Sequence, residues 1–208
     1  MYNLDHIIKV GIRYIIYGIV ILGLTQILFI DAPLTIDPAE IKEATITEWL
    51  QLLFLLIMFL IHYYLGRSNS TVAPITNFFN VTIVMILIRE LDWFIDKKIM
   101  ADAWLGFELV VFIIGVALFI KHKDNVVFAL GQFISLPGFG IIVSGFFTSF
   151  VFAPMLGEQD IWQMVMDGFL KSVADAAEEG VELLGYTLLL IGTIEYFISI
   201  KAMKKVPS

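Results

Sequence analysis

Ionisable side chains occur inside several long apolar stretches of this sequence. In MILIRELDWFIDKK, residues 85–98, four apolar residues lead directly into Arg89 and Glu90, and Asp92 follows shortly after them. Glu108 stands within the next apolar stretch. A charged group inside a membrane span costs about 2.5–3.5 kcal/mol on insertion scales, so these groups are expected to face one another or a hydrated cavity.

Two further apolar stretches begin with similar residue types. Glu48 and Gln51 open one of them, and Glu178 and Glu182 open another. The members of each pair are one helical turn apart and therefore share a helical face. Carboxylate and amide oxygens suit Ca²⁺, Mg²⁺ or Mn²⁺, and the absence of cysteine excludes thiolate metal sites. Acids at membrane depth also serve as proton relays.

These polar groups are predicted to meet in one layer in the outer half of the membrane and to bind a cation or a proton. Glu90 and Glu182 are expected to be the principal acids, with Arg89 as their counter-charge. The predicted site consists of Glu48, Gln51, Arg89, Glu90, Asp92, Glu108, Glu178 and Glu182. For a bound divalent metal, the expected ligands among them are Glu48, Glu90, Glu108 and Glu182.

A purely structural interpretation of the same residues stays open. Arg89 paired with Glu90 or Glu182 would fix helix packing without binding anything. Glu178 would then be a hydrated residue at the membrane surface. His62 is interpreted as a packing or hydrogen-bonding residue, and a proton or metal role is its alternative. Glu195 either pairs with a basic neighbour or marks the inner end of a conduction path.

The composition indicates that transmembrane helices position these groups. The chain has 208 residues, of which 59% are hydrophobic and only 16% are charged, and it is too apolar for a soluble domain. We predict an all-α polytopic bundle that forms a single domain over residues 1–208, with about six spans. The predicted spans are residues 11–30, 46–65, 76–95, 103–120, 126–152 and 180–200.

Basic residues predict the orientation. With six spans both termini lie on one side, and most lysines and arginines fall there, which makes that side cytoplasmic and the membrane an inner (plasma) membrane. Lys97 and Lys98 are the main exceptions. The cytoplasmic set is Lys9, Arg13, Arg67, Lys121, Lys123, Lys201, Lys204 and Lys205. Trp93 and the other three tryptophans are expected near the outer interface, where aromatic belts form.

Two segments are expected to depart from a simple span. Residues 158–178 alternate apolar and polar positions at helical spacing, which predicts an amphipathic helix lying on the outer membrane surface. Residues 126–152 contain SLPGFG near their middle. Because Pro137 removes a backbone donor, this segment is predicted to form one kinked helix or two half-helices.

Ion or proton transport, as a transporter or channel, is the leading functional hypothesis from these patterns. One alternative is a membrane-embedded metal-dependent enzyme acting on lipid or a periplasmic substrate, although no catalytic residue can be assigned. A second is a non-catalytic assembly subunit. Membrane lipid is the expected surrounding partner, together with other membrane subunits or further copies of the chain. No basic patch predicts nucleic-acid binding, and no glycine-rich phosphate loop is present.

Overall fold

The computed structural model describes residues 4–31 and 45–203, and all regular secondary structure in these two ranges is helical. This confirms the predicted all-α class. The helices are α1 (Leu4–Asp31), α2 (Ile46–Ser68), α3 (Ala73–Glu90), α4 (Asp92–Lys98), α5 (Ala103–Ile134), α6 (Pro137–Phe147), α7 (Ala153–Gly157), α8 (Gln159–Val165) and α9 (Lys171–Met203). A π-helical turn at Thr148–Phe152 joins α6 to α7.

Five helical segments of the described chain are long and apolar enough to cross a membrane, by length and composition. They are Leu4–Leu28, Ile46–Ser68, Ala103–Ile134, Pro137–Gly157 and Lys171–Met203. The predicted span 76–95 corresponds to α3, which ends at Glu90 and so is shorter than expected. At 18 residues, α3 is about 27 Å long, close to the thickness of the hydrocarbon core.

The boundary predicted between residues 120 and 126 is wrong. No proline interrupts α5, and the helix continues through Lys121, His122, Lys123 and Asp124 to Ile134. Its 32 residues make it about 48 Å long, which exceeds the roughly 30 Å hydrocarbon core. The polar residues 121–124 therefore do not end this helix. They mark a point at which a helix of this length can leave the hydrocarbon core.

The chain turns at Ser135 and Leu136, immediately before Pro137. Proline cannot donate a backbone hydrogen bond and disfavours a helical conformation in the preceding residue, so it ends α5 and begins α6. The predicted segment 126–152 is therefore neither one kinked span nor two half-helices. Its first part belongs to α5, and its second part belongs to the candidate span Pro137–Gly157.

The predicted surface helix at 158–178 is also divided. Helix α8 ends at Val165, Met166 is extended, and Gly168 has a positive φ of 74°. Glycine tolerates that left-handed conformation because it lacks a Cβ atom. Helix α9 begins at Lys171, so the second half of the predicted surface helix continues directly into the last long helix.

The contacts of the described residues form two compact units. The first contains the described residues of 1–51 together with 144–187, and the second contains those of 52–143 together with 188–208. The second unit has an apolar core made by Leu65, Val72, Ile75, Ala129, Phe133, Ile142, Tyr196 and Ile200. Lys204 and Lys205, used to predict the orientation, lie outside the described residues, as does the side chain of Trp93.

Candidate functional site

Glu48 closes a capping box at the start of α2. The backbone N–H of Thr45 donates to Glu48 Oε2 at 2.9 Å, and the backbone N–H of Glu48 donates to Thr45 Oγ1 at 3.1 Å. This reciprocal pair satisfies backbone donors that the first turn of a helix leaves without partners. One carboxylate oxygen of this predicted cation ligand therefore already has a structural role.

Gln51 lies one turn further along α2, on its buried face. Its side chain is 2% exposed, and Thr47 and Leu55 on the same face are fully buried. Its Nε2 atom has no hydrogen-bond partner among the described residues. A buried polar group without a partner costs about 1–3 kcal/mol, so the amide N–H groups of Gln51 are available to donate a hydrogen bond to a water molecule.

Arg89 and Glu90 form the end of α3 rather than its interior. Arg89 is exposed, and its side chain makes no hydrogen bond or ion pair within the described part of the chain, so the predicted pairing of Arg89 with Glu90 is not present there. Glu90 is half-buried, and Asp92 is half-buried at the start of α4. A basic residue in the last turn interacts favourably with the helix dipole.

Glu108 lies opposite the end of α3. Helices α3 and α5 pack together, and Val81 approaches Gly115 so closely that a Cβ atom there would lie 2.8 Å from Val81 Cγ1. The two helices are joined through α4, and residues early in α3 line a common groove with residues further along α5, which indicates an antiparallel pair. Arg89 is then about 12 Å beyond this contact along α3, and Glu108 is about 11 Å beyond it along α5. The two residues therefore occupy one level of the second unit.

The first unit brings two of the predicted acids, Glu178 and Glu182, against the segment around the π-helical turn. The carboxylate of Glu178 lies against Gly157, where a Cβ atom would collide with it. Ser149 Oγ donates a hydrogen bond of 3.3 Å to the backbone carbonyl of Glu182. Both glutamates are half-buried. Single π turns within α-helices are often found at functional sites.

Glycine allows this close approach. At Gly185, a Cβ atom would lie 2.6 Å from the backbone nitrogen of Ser149 and 3.0 Å from the carbonyl oxygen of Gly145. Such spacing requires a residue without a side chain, as in membrane helix pairs packed through small residues. Beside it, the ring of Phe150 packs edge-on against the fully buried Tyr186, with centroids 6.3 Å apart. The turn thus has a polar contact and an aromatic contact with α9.

The residues of the predicted four-helix carboxylate layer are divided between the two units. Glu48 and Glu182 belong to the first unit, and Glu90 and Glu108 belong to the second. In the described ranges, no group of three or more histidine, aspartate or glutamate side chains is arranged to hold a metal ion. Within the first unit, Glu178 lies against Gly157 of α7, and the backbone of Glu182 is hydrogen-bonded to the π-helical turn.

Two buried polar residues in the second unit, His62 and Thr193, lie close together, and the sequence indicated only His62. His62 is 1% exposed, and its Nε2 atom lies 3.2 Å from Thr193 Oγ1. Its ring stacks on Phe79 with centroids 4.6 Å apart, and its Nδ1 atom has no partner among the described residues. Neither Thr193 nor Ser149 was singled out from the sequence, because isolated hydroxyl residues in apolar helices usually bond their own backbone.

Comparison with known proteins assigns no family to this chain. No protein-family model, no curated protein and no solved structure matches it. Its function is therefore inferred from its own residues.

Proposed function

We propose that this chain is an integral membrane protein that binds a cation or a proton at the acidic stretch of α9 and carries it across the membrane. The observation that supports this most strongly is that the carboxylate of Glu178 lies against Gly157 of α7 while the backbone of Glu182 is hydrogen-bonded to Ser149 of the π-helical turn. Glu182 is the twelfth residue of α9, about 17 Å from its first residue, in a stretch continuing into buried residues. An ionisable residue within a membrane span is by default a candidate for an ion or proton pathway.

The chemistry of this stretch suits a hard cation or a proton. Two glutamates one turn apart supply four carboxylate oxygens, and the hydroxyl of Ser149 is hydrogen-bonded to the backbone of Glu182. Oxygen donors of this kind bind Ca²⁺, Mg²⁺ or Mn²⁺. In the proton-carrying version, Glu182 would take up and release the proton, and the buried Tyr186 one turn deeper would be the next polar group along α9.

The other predicted site residues have supporting roles in this proposal. Gln51 would offer its unpaired amide nitrogen to a bound water molecule, while Glu48 would keep α2 capped. The charge near the end of α3 and the start of α5 would be determined by four residues, Arg89, Glu90, Asp92 and Glu108. In the six-span version of the proposal, α3 also crosses an inner (plasma) membrane and both termini are cytoplasmic.

Flux measurements on reconstituted protein test the proposal. Wild-type chain in sealed liposomes should conduct protons, or one of the three divalent cations, along an imposed gradient. The Glu182→Gln variant should lose at least about tenfold of this flux, because an amide neither holds a proton nor neutralises a cation. The matched control is Glu158→Gln, since Glu158 is an exposed glutamate outside α9. Equal flux in wild type and Glu182→Gln would rule the proposal out.

Helix α1 supports a second candidate function, that of a subunit in a membrane assembly. None of the residues in the apolar window of α1 is buried, and Gly11, Gly18 and Gly23 have open space where a side chain would lie. Small residues on a membrane helix allow close packing by another helix. If assembly is the function, the chain extracted in mild detergent should migrate with other subunits, and Gly18→Leu should release it.

A further inference from the structure

A groove in the second unit is unrelated to the acidic stretch of α9. It has a volume of about 380 Å³ and runs between α3 and α5. Phe78, Val81 and Met85 line it on one side, and Phe112, Val116 and Phe119 line it on the other. Val81 and Gly115 also line the groove, and there the two helices come so close that a Cβ atom at Gly115 would lie 2.8 Å from Val81 Cγ1.

The groove leads toward one positively charged side chain, Arg89, and one negatively charged side chain, Glu108. Along α3 the lining residues Phe78 and Met85 are followed at helical spacing by Arg89. Along α5 the lining residues Phe119 and Phe112 are followed, in the opposite chain direction, by Glu108. Neither charged side chain makes a hydrogen bond or an ion pair within the described ranges. An apolar groove therefore ends beside an arginine and a glutamate that occupy the same level.

We propose that this groove binds a zwitterionic phospholipid with a primary ammonium headgroup. One acyl chain lies between Phe78 and Phe119, the phosphate binds Arg89, and the ammonium group binds Glu108. Arginine binds phosphate oxygens in a bidentate manner, and a primary ammonium can donate hydrogen bonds to a carboxylate.

Charge complementarity selects this lipid over other occupants. The headgroup of an anionic phospholipid has no positive charge to neutralise Glu108. A quaternary ammonium headgroup is positively charged but has no N–H group that could donate a hydrogen bond to the carboxylate. A helix from a second copy of the chain would have to supply both an anion and a cation at one level. The ammonium phospholipid supplies both charges within one headgroup and an apolar chain of the right kind for the groove.

Lipid retention during purification tests the site. The chain in detergent is incubated with equal amounts of phosphatidylethanolamine, phosphatidylcholine and phosphatidylglycerol, and the lipid bound per protein is measured by native mass spectrometry. Phosphatidylethanolamine should be retained about tenfold more than either competitor. Equal retention of the three lipids, or preference for phosphatidylglycerol, overturns the proposal.

Two valines on α5 provide a matched pair of variants. Val116 lines the groove and is 43% exposed, whereas Val110 is 55% exposed on the opposite face of the same helix. Val116→Trp should fill the groove and abolish the preference, and Val110→Trp should leave it unchanged. An unchanged preference in Val116→Trp overturns the proposal. So does a dimer that dissociates only in Val116→Trp, because the occupant is then a second copy.

Charge-removing variants test the headgroup contacts separately. Glu108→Gln should reduce phosphatidylethanolamine retention to the phosphatidylcholine level, because only the ammonium contact is lost. Arg89→Gln should lower retention of both lipids about tenfold, because both carry the phosphate. If Glu108→Gln preserves the discrimination, the ammonium assignment is wrong. Arg89 and Glu108 both lie near helix ends. The elution volume of each variant in size-exclusion chromatography in detergent checks that the protein remains folded.

Discussion

The hydroxyl of Ser149 donates a hydrogen bond to the backbone carbonyl of Glu182, with 3.3 Å between the two oxygen atoms. This contact joins the π-helical turn to α9 within the acidic stretch. Because Ser149 is 1% exposed and Gly185 lies directly beside it, the backbones of the two segments are held in close contact. The position of the Glu182 side chain therefore depends on how these two segments pack.

The first prediction concerns that packing. Gly185→Ala should destabilise the protein by about 1–3 kcal/mol, because its Cβ atom would meet the backbone of Ser149, which cannot move aside as a side chain could. Gly131→Ala is the control, since nothing lies within 4 Å of a Cβ atom there. It should be stabilising by up to about 1 kcal/mol through higher helix propensity. Thermal unfolding in detergent measures both, and equal midpoints would contradict the close approach.

The second prediction separates the two roles of Glu48. Thr45→Ala removes the hydroxyl that caps α2 and should cost about 1 kcal/mol of stability. Glu48→Gln should leave stability nearly unchanged, because glutamine also completes a capping box. If the carboxylate is in addition a cation ligand, Glu48→Gln lowers flux in liposomes at unchanged stability. Loss of stability in Glu48→Gln would mean that its charge, rather than its cap, holds the start of α2.

The third prediction concerns His62 and Thr193. Thr193→Val should cost about 1–3 kcal/mol, because it leaves the buried Nε2 atom without its partner. His62→Phe should cost less, because the ring can still stack on Phe79 and the threonine hydroxyl can turn to its own helix. Thr187 already does so, donating to the carbonyl of Leu183 at 2.7 Å.

A double-mutant cycle checks this pair. In the His62→Phe background, Thr193→Val should have almost no further effect on the unfolding midpoint, since the polar partner is already gone. The same cost in both backgrounds would show that Thr193 stabilises the fold independently of His62.

The fourth prediction concerns topology, and the chain suits the test because it contains no cysteine. Single cysteines are introduced at exposed positions near the helix ends and labelled in intact cells with a membrane-impermeant maleimide. With six crossings, labelling from outside should reach only Asp102→Cys and Asp160→Cys. The protected positions should be His6→Cys, Ser70→Cys and Ser135→Cys. Equal labelling at residues 70 and 102 would show that α3 does not cross the membrane.

Much of the helical framework could be predicted from apolar run length. The sequence of α2 shows both its apolar core and its start, because Glu48 and Gln51 stand at one end and Arg67 at the other. Helix α5 could not be bounded in this way. Four polar residues at 121–124 predicted a loop, but polar side chains are compatible with a helical backbone, and α5 continues to Ile134, shortly before Pro137.

The candidate site was predictable only in part. The acids of α9 stood out because charge is rare in such apolar surroundings. Ser149 and the π-helical turn carry no comparable signal, since one hydroxyl in an apolar run is common and hydrogen-bond geometry depends on the partner helix. The sequence motif around Glu48 was readable as a capping box, Thr-x-x-Glu, but its charge favoured a ligand interpretation.

The π-helical turn makes the effect of a deletion depend on where the residue is removed. A π turn holds one residue more than the α-helical turn it replaces. Deleting one residue from Thr148–Phe152 would therefore let this turn close as a regular α-helical turn, and the residues after it would keep nearly the same facing. Deleting one residue from the regular helix α6 would instead rotate the following residues by about 100° and turn Gly157 away from Glu178, so a deletion within the π turn should be tolerated far better than one within α6.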